Sequence, residues 1–308
     1  MGDRPDRSTQ TTVPGVRRST GTVVPPLSSL VRIDVSALSN VGHLRENNED
    51  QFFVTKMSRA LETMLTSLPP GDVPERVEEV NYVFILADGM GGHAAGELAS
   101  RLAISTLVSL ALDIPDWILK LDSGAAPAEL ERRARDIVQQ VGSAIFKKGR
   151  EDAALKGMGS TLTAARSLGR DLLIVHVGDS RAYLFRAGGL HRLTKDHTFA
   201  QMLVDCGRLE ARDVASSRVR HVLTNALGGS REHVDVDVDL LRLEDGDRVL
   251  LCSDGLTDLV DDDTIAQTLA EAASSADACA QLVQRALDRG GRDNVTVIVA
   301  AYTFPAEP

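Results

Sequence analysis

The chain has 308 residues, of which 43% are hydrophobic and 25% charged, and its formal net charge is −10. This composition is typical of a globular protein and gives enough length for one large domain or two smaller ones. An excess of acidic residues disfavours nucleic acids and anionic membranes as general partners, because both carry negative charge. The same excess is compatible with a metal site built from carboxylates.

Cysteine usage and the apolar segments indicate the compartment. Cys206, Cys252 and Cys279 are far apart and form no C-x-x-C pair, which favours a reducing environment over a disulfide framework or a zinc site. No apolar run reaches the length of a membrane span, and the N-terminus lacks the apolar segment of a signal peptide. We therefore expect a cytoplasmic protein without a membrane or nucleic-acid partner and, by default, a monomer.

The N-terminal third is predicted to contain a tail and one irregular segment. Residues 1–28 are rich in Arg, Ser, Thr and Pro without periodicity, which predicts a disordered tail ahead of a single domain over 29–308. Residues 55–80 interrupt the strand pattern on either side of them. Within this segment ALETMLTSL (60–68) has a helical pattern, and the PPGDVP that follows it is typical of a loop.

The remaining elements follow from hydrophobic periodicity. Apolar residues three and four apart predict helices at 94–112, 128–150, 262–272 and 275–289. Alternating or continuous apolar runs predict strands at 31–39, 51–54, 82–87, 160–167, 171–178, 181–186, 234–241, 247–252 and 294–302. Strands cluster with strands and helices come in pairs, which is not the strict strand–helix alternation of a doubly wound fold.

The segment FILADGMGGHAAGE (84–97) places the carboxylate of Asp88 at the end of an apolar strand, followed by glycines and a helix. A dinucleotide-binding loop is one interpretation, since Gly89, Gly91 and Ala94 fit G-x-G-x-x-A. Asp88 would repel a pyrophosphate, however, and no acid follows at the spacing of a ribose-binding residue.

A metal site is the second interpretation, because a rigid strand end can aim a carboxylate while glycines let a backbone carbonyl approach an ion. It predicts further acids at other strand ends, and the sequence supplies Glu49, Asp50, Asp179, Asp196, Asp254 and Asp293. Each of these alone is explained by a turn or a solvated cap. Together, and without histidine or cysteine in ligand spacing, they favour Mg²⁺ or Mn²⁺ in a two-metal hydrolytic centre.

Seven motifs follow one another along the chain: GHLRENNEDQF, LADGMGGHAAGE, GMGSTLTAA, VGDSRAYLF, LTKDHT, LLCSDGLTD and GGRDNVTVIV. With these motifs, the sequence over residues 31–303 resembles the bacterial metal-dependent serine/threonine protein phosphatases of type 2C. The resemblance implies an α+β fold, a four-layer α/β/β/α sandwich in which two mostly antiparallel sheets pack face to face between paired helices. It also implies a metal centre in the cleft at one end of the sandwich.

The resemblance assigns metal ligands residue by residue. Asp88 would bridge two ions, Mn²⁺ or Mg²⁺. Asp254 and Asp293 would complete the coordination of the first ion. The carbonyl of Gly89, with Glu49 directly or through water, would serve the second.

Two further residues and a mechanism are implied in the same way. Asp50 would hold metal-bound waters, and Arg45 would bind phosphate through its planar guanidinium. A metal-bridging hydroxide would attack phosphoserine or phosphothreonine directly, with Arg45 and the ions stabilising the charge of the transition state. The substrates would be phosphorylated proteins, including a Ser/Thr kinase whose signalling the phosphatase opposes.

Two motifs depart from the family pattern. Met90 stands where many eukaryotic relatives have a histidine general acid, so His197 and His43 become the candidates, although an ordinary hydrogen-bonding role explains each equally well. Bacterial relatives often bind a third metal between the aspartate of KD, here Asp196, and an acid shortly before GMGST. Here Asp152 lies farther upstream than the pattern requires, so a third ion is expected to bind weakly or to use Asp152 in a shifted position.

Two segments and one aspartate remain. Residues 55–80 are longer than the resemblance requires, which predicts an insertion serving as a lid, a docking element or a tolerated surface loop. Residues 199–230 correspond to a variable flap beside the cleft that would tune substrate access. Asp179 is assigned to structure, through a hydrogen bond to Ser180 or Arg181 in a tight turn.

Overall fold

The computed structural model describes residues 30–69, 71–113 and 127–305, so the tail predicted over 1–28 lies outside the described part. The strands of this part are β1 (Arg32–Asn40), β2 (Asp50–Glu62), β3 (Arg76–Met90), β4 (Gly159–Ser160), β5 (Leu162–Leu168), β6 (Asp171–Val177), β7 (Arg181–Arg186), β8 (Gly189–Arg192), β9 (Leu227–Gly228), β10 (Asp237–Arg242), β11 (Arg248–Cys252) and β12 (Val295–Thr303). Its α-helices are α1 (His93–Asp113), α2 (Pro127–Glu151), α3 (Phe199–Asp205), α4 (Asp254–Thr257), α5 (Asp262–Glu271) and α6 (Ser275–Asp288).

The strands form two antiparallel sheets. One sheet has five strands in the order β1-β12-β11-β7-β8. The other has seven strands in the order β10-β6-β5-β3-β4-β9, with β2 paired to β3. Each paired neighbour runs antiparallel to the next.

Three apolar clusters show how the layers are arranged. Side chains from both sheets form the central cluster, which includes Phe84, Leu86, Leu184, Leu251 and Ile298. A second cluster joins the outer face of the seven-stranded sheet to α1 and α2, and a third joins the outer face of the five-stranded sheet to α5 and α6. The fold is therefore the predicted α/β/β/α sandwich, because each sheet buries one face on the other sheet and one on helices.

The helix predicted over 60–68 is wrong. Residues 60–62 instead continue β2, which pairs with β3 without interruption from Asp50 to Glu62. Arg59 lies opposite Glu79 in this ladder and forms an ion pair with it. The helical spacing of the apolar residues was overridden by pairing with a neighbouring strand, and the predicted insertion is a long β-hairpin.

Helix α1 also differs from expectation. The segment Ala94–Leu112 is long and apolar enough, by length and composition, to cross a membrane. The expectation that no segment reaches this length is therefore incorrect. In this structure α1 packs against β3 and α2, and its residues Ala95, Ala99 and Ala103 are buried in a core cluster. This packing is that of a core helix in a sandwich.

Candidate metal centre

Strand pairing brings the first two acids together. Asp50 at the start of β2 lies opposite Asp88 near the end of β3, and opposite residues of an antiparallel pair project from the same face. Asp254 follows β11 at the start of α4, and Asp293 lies just before β12. Because β11 and β12 are neighbours in the other sheet, four acids converge where the ends of the two sheets meet.

These ends surround a cavity of about 1100 Å³. Residues predicted to form the site, among them Arg45, Glu49, Asp88, Gly89, Asp254 and Asp293, line it. The cavity is larger than a phosphoryl group needs, since pockets for whole small ligands range from about 300 to 1,000 Å³. The structure therefore places the predicted centre in one cleft, with room beside it.

Asp50 is buried beneath this cleft. Its Oδ2 accepts a hydrogen bond of 2.7 Å from the hydroxyl of Ser253, and its buried Oδ1 has no hydrogen-bond partner among the described residues. Burial raises the pKa of Asp50 to about 7; the Thr296 and Ser253 hydroxyls oppose that rise, while nearby acids add to it. A carboxylate oxygen left without a donor at this depth fits a cation or its water.

Asp88 is a strongly perturbed acid of the cluster. Burial raises the pKa of Asp88 well above its usual value, and repulsion from Asp50 and Asp254 raises it further. Its backbone is fixed by Thr161, whose Oγ1 accepts from Asp88 N at 3.0 Å and whose N donates to Asp88 O at 2.8 Å. Ser160 Oγ donates to the same carbonyl at 3.0 Å. The strand end is rigid, as the metal interpretation requires.

Two glycines allow the helix to approach this strand end. A Cβ on Gly89 would lie 2.0 Å from the carbonyl oxygen of Gly96, and a Cβ on Gly96 would lie 2.2 Å from Oε2 of Glu49. Gly89 N also donates to Glu49 O at 3.2 Å. A side chain at Gly89 would push the backbone of α1 away from the centre, and one at Gly96 would displace the carboxylate of Glu49.

Arg45 lies beside Asp293, at the edge of the acid cluster. Its Nη2 donates to Oδ2 of Asp293 at 2.6 Å, and this hydrogen bond raises the pKa of Arg45. Oδ1 of Asp293 accepts from Asn294 N at 2.8 Å. The exposed guanidinium is therefore held at the edge of the centre, where a phosphate oxygen would arrive.

Sequence reasoning missed His221 and Asp258. His221 lines the cavity, with Nδ1 3.6 Å from Oδ2 of Asp254 and Nε2 3.3 Å from Oδ2 of Asp258. The Asp254 carboxylate beside it raises the pKa of His221. These three side chains are close enough to share one ion. The sequence held no signal for this contact, because His221 belongs to the segment predicted only as a variable flap.

Asp179 also belongs to the cavity. It is buried, and burial raises the pKa of Asp179 well above its usual value, with Asp254 adding repulsion. The predicted partners in the turn have other contacts: Ser180 Oγ lies 2.9 Å from Thr161 Oγ1, and Arg181 bonds Asp196. Asp179 is thus part of the acid cluster, beyond the structural role expected for it.

The two histidines predicted as general acids lie outside the residues that line the cavity. Asn225 Nδ2 lies 2.8 Å from Nδ1 of His197, and Nε2 of His197 is 3.1 Å from Oδ2 of Asp237. Nδ1 faces a donor and Nε2 faces a carboxylate, so the ring is fixed between them. His43 is an exposed residue outside the cavity lining. The contacts of His197 support the hydrogen-bonding interpretation.

The two acids predicted for a third metal, Asp196 and Asp152, each have other contacts. Asp196 is held by two arginines: its Oδ2 accepts from Arg181 Nη2 at 2.8 Å, and Arg192 bonds its Oδ1. Asp152 is exposed and caps a short 3₁₀ turn, accepting from Ala154 N at 2.9 Å. Since guanidinium groups occupy both oxygens of Asp196, these contacts do not support an ion between the two acids.

Comparisons with known proteins agree with this geometry. Residues 73–289 match the family model described as protein phosphatase 2C. Over 217 residues the chain is 44% identical to the serine/threonine protein phosphatase PstP of Mycobacterium tuberculosis, a match covering 70% of this chain but only 39% of that protein. It is 29% identical over 277 residues to the protein phosphatase PhpP of Streptococcus pneumoniae, covering 87% of this chain and 97% of PhpP.

A solved structure carries the same fold. The catalytic domain of PstP in complex with two manganese ions superimposes with a TM-score of 0.68 at 37% sequence identity, covering 89% of this chain and 99% of that one. The family match extends over more than half of the sequence, and the sandwich is the fold of these relatives. The chain belongs to the protein phosphatase 2C family.

Proposed function

We propose that the chain is a metal-dependent protein serine/threonine phosphatase that hydrolyses phosphoserine and phosphothreonine. The observation that carries this proposal is the convergence of Asp50, Asp88, Asp254 and Asp293 at one end of the sandwich, with Arg45 beside them. Buried acids that repel one another need compensating cations, and an arginine at their edge suits a phosphate.

The donor set fits two divalent ions of the hard type. Asp88, Asp254 and Asp293 would hold them with the carbonyl of Gly89 and the carboxylate of Glu49, all on the cavity wall. Oxygen ligands favour Mn²⁺ or Mg²⁺. When bound, such ions supply Lewis-acid activation of water and neutralise charge on the phosphoryl group.

The chain's own residues bind and orient the substrate. The Arg45 guanidinium can hold two phosphoryl oxygens, which fixes the phosphorus against the centre and stabilises negative charge as the ester bond breaks. The Ser253 hydroxyl orients Asp50 from below. Phe199, Met202 and Val222 of the flap offer exposed apolar surface on the cavity wall to the rest of the substrate.

The wider assignments belong to the same proposal. Residues 29–308 would form one catalytic domain, acting as a monomer in the cytoplasm, with the flap of 199–230 beside the cleft and the hairpin of 55–80 leading away from it. Its substrates would be phosphorylated proteins, among them a Ser/Thr kinase whose signalling it opposes. The names of the relatives, a serine/threonine protein phosphatase and a protein phosphatase, support phosphorylated proteins as the substrates.

The alternative is a non-catalytic relative that binds phosphoproteins, but such proteins lose metal ligands, and Glu49, Asp50, Asp88, Asp254 and Asp293 are all present here. An assay with Mn²⁺ and phosphoserine, phosphothreonine and phosphotyrosine peptides decides between them. Hydrolysis of the first two, lost with EDTA and in a folded Asp88→Asn variant, is expected. Turnover that persists in Asp88→Asn would overturn the mechanism.

A further inference from the structure

The cavity extends beyond the metal centre and is lined by many cations. Although the whole chain is acidic, six basic side chains line this cavity: Arg45, Arg220, His221, Arg231, His233 and Arg292. Basic groups around an acid cluster can serve to balance its charge or to bind a ligand. Their contacts separate these two roles.

Four of the six have acidic partners. Arg45 bonds Asp293, and His221 lies between Asp254 and Asp258. Arg220 Nη2 is 3.7 Å from Oδ2 of Asp258, and His233 Nε2 is 3.6 Å from Oδ1 of Asp235. These side chains balance acids of the cavity or its rim.

Arg231 and Arg292 differ from the other four. Both are exposed cavity-lining residues, and neither makes an ion pair or a hydrogen bond with another described residue. Arg292 directly precedes Asp293 in sequence, yet it is Arg45 that bonds this carboxylate. Neither guanidinium group is engaged by a carboxylate in the described part of the chain. Both are therefore available to bind an external anion in the cavity.

The topology places the two arginines on different sides of the cavity. Arg231 follows β9 of the seven-stranded sheet, and Arg292 precedes β12 of the five-stranded sheet. Because the metal centre lies where the ends of both sheets meet, a peptide crossing it passes one arginine on each side. The anion that each arginine fits therefore lies beside the scissile phosphoryl group, in the peptide on that arginine's own side.

We propose that Arg231 and Arg292 recognise anionic side chains that flank the hydrolysed phosphoresidue, one arginine on each side of it, which makes multiply phosphorylated or acidic segments the preferred substrates. This inference rests on the proposed phosphatase function. A phosphoryl group suits the site better than a carboxylate, because each guanidinium can bind two of its oxygens and it carries nearly two negative charges at neutral pH.

The experiment compares phosphothreonine peptides that differ only at one position two residues away, with alanine, glutamate or a hydrolysis-resistant phosphonate. With Mn²⁺, we expect kcat/KM to rise by up to about fivefold from alanine to phosphonate, mainly through KM, since one exposed ion pair contributes up to this much. Glutamate should give a smaller rise. A second peptide series carries the anion on the other side of the phosphothreonine. The two series together test the arginine on each wall of the cavity.

The double variant R231A/R292A is expected to reduce this ratio to about one, and R231K/R292K to retain part of it. Arg218→Ala is the matched control, because Arg218 is an exposed arginine of the flap (199–230) that does not line the cavity. The ratio is internal to each variant, so a general loss of activity does not affect it. A ratio of one in the wild type, or a ratio that persists in R231A/R292A, overturns the proposal.

Failure of the two proposals can be told apart. If the wild type hydrolyses no phosphothreonine peptide, the phosphatase function fails. The anion site is then tested by binding, with fluorescently labelled phosphonate and alanine peptides and Mn²⁺. A fivefold difference in Kd that disappears in R231A/R292A supports the site, and equal Kd values for the two peptides contradict it.

Discussion

Ser253 is the residue that caps α4, yet its hydroxyl donates to Oδ2 of Asp50 at 2.7 Å and makes no hydrogen bond to the helix it begins. Serine at this position usually accepts from the backbone of the first helical turn. Here the hydroxyl also accepts from Thr296 N at 3.0 Å, so it links β12 to the acid of the other sheet. The side chain at the cap position therefore orients the carboxylate of Asp50 instead of capping the helix.

We expect Ser253→Ala to weaken Mn²⁺ binding about tenfold or more, because groups that orient ligands typically contribute this much. The measurement is a Mn²⁺ titration by calorimetry, together with the Mn²⁺ dependence of peptide hydrolysis. Ser274→Ala is the control: Ser274 caps α6 by accepting from Asp277 N at 3.1 Å. That variant should lose about 1 kcal/mol of stability without a change in Mn²⁺ affinity. Equal Mn²⁺ affinity in Ser253→Ala would contradict the orienting role.

Asp88→Asn should separate activity from stability. In the metal-free protein burial raises the pKa of Asp88 well above its usual value and that of Asp50 to about 7. The folded chain then holds protons that the unfolded chain has released, so the free energy of unfolding falls as the pH rises from about 4 to 7. Asparagine needs no proton to be neutral at this buried position, so the variant should be more stable than the wild type by on the order of 1–3 kcal/mol at pH 7.5.

Urea unfolding in EDTA at pH 5 and pH 7.5 checks this expectation. The variant should be more stable than the wild type at pH 7.5 and closer to it at pH 5, while phosphopeptide hydrolysis is lost. Added Mn²⁺ should stabilise the wild type more than the variant, because binding to the folded state alone raises its stability. A variant that is less stable at pH 7.5 would show that the acids are not repelling one another.

The sequence predicts the sandwich well where local pattern and tertiary structure agree. The helix expected over 275–289 is observed as Ser275–Asp288, and the strand expected over 247–252 as Arg248–Cys252. Both are amphipathic or fully apolar segments whose period decides their structure. The acids at the ends of the strands were found for the same reason, because an apolar run followed by Asp and Gly is visible in the sequence itself.

The structure differs from the sequence-based predictions where a residue's contacts lie in another segment of the chain. Residues 60–62 read as helix, but their pairing with β3 decides that they are strand. Asp196 was predicted as a possible third-metal ligand, but it is bonded by Arg181 of the neighbouring strand β7 and by Arg192, four residues before it, and these contacts do not support that prediction. His221 of the flap lies close to Asp254 at the end of β11. Neither segment has a sequence pattern that indicates this contact. Contacts of this kind become visible only in three dimensions.

Arg45→Lys should lower kcat/KM for phosphothreonine peptides by about tenfold or more, and Arg45→Ala further, because an ammonium keeps the charge but not the planar fork that holds two phosphoryl oxygens. Arg45 is an exposed side chain bonded to Asp293, so neither variant should lose much stability. Steady-state kinetics and inhibition by inorganic phosphate provide the measurement. Arg76→Ala, at an exposed arginine of the hairpin, is the control and should leave both unchanged; a normal inhibition constant in Arg45→Ala would contradict phosphate binding.

His176 should make the protein sensitive to mild acid. Burial, together with the nearby His197, lowers the pKa of His176 to about 4. The buried ring is satisfied by neutral contacts: Nε2 lies 3.1 Å from the carbonyl oxygen of Lys195, and Nδ1 lies 3.0 Å from Oγ1 of Thr163. The unfolded chain binds a proton at this ring below about pH 6.5. Unfolding therefore takes up a proton between these two values, and the free energy of unfolding falls as the pH falls.

We expect this one group to remove on the order of 3 kcal/mol of stability between about pH 6.5 and pH 4. In His176→Gln, which keeps a donor and an acceptor, the slope of unfolding free energy against pH should be lower than in the wild type by up to about 1.4 kcal/mol per pH unit across that window, even if the variant is less stable overall. Urea unfolding at half-unit steps of pH measures the slope. His191→Gln, at an exposed histidine of β8, should keep the wild-type slope, and an unchanged slope in His176→Gln would show that the buried ring is not the group that binds the proton.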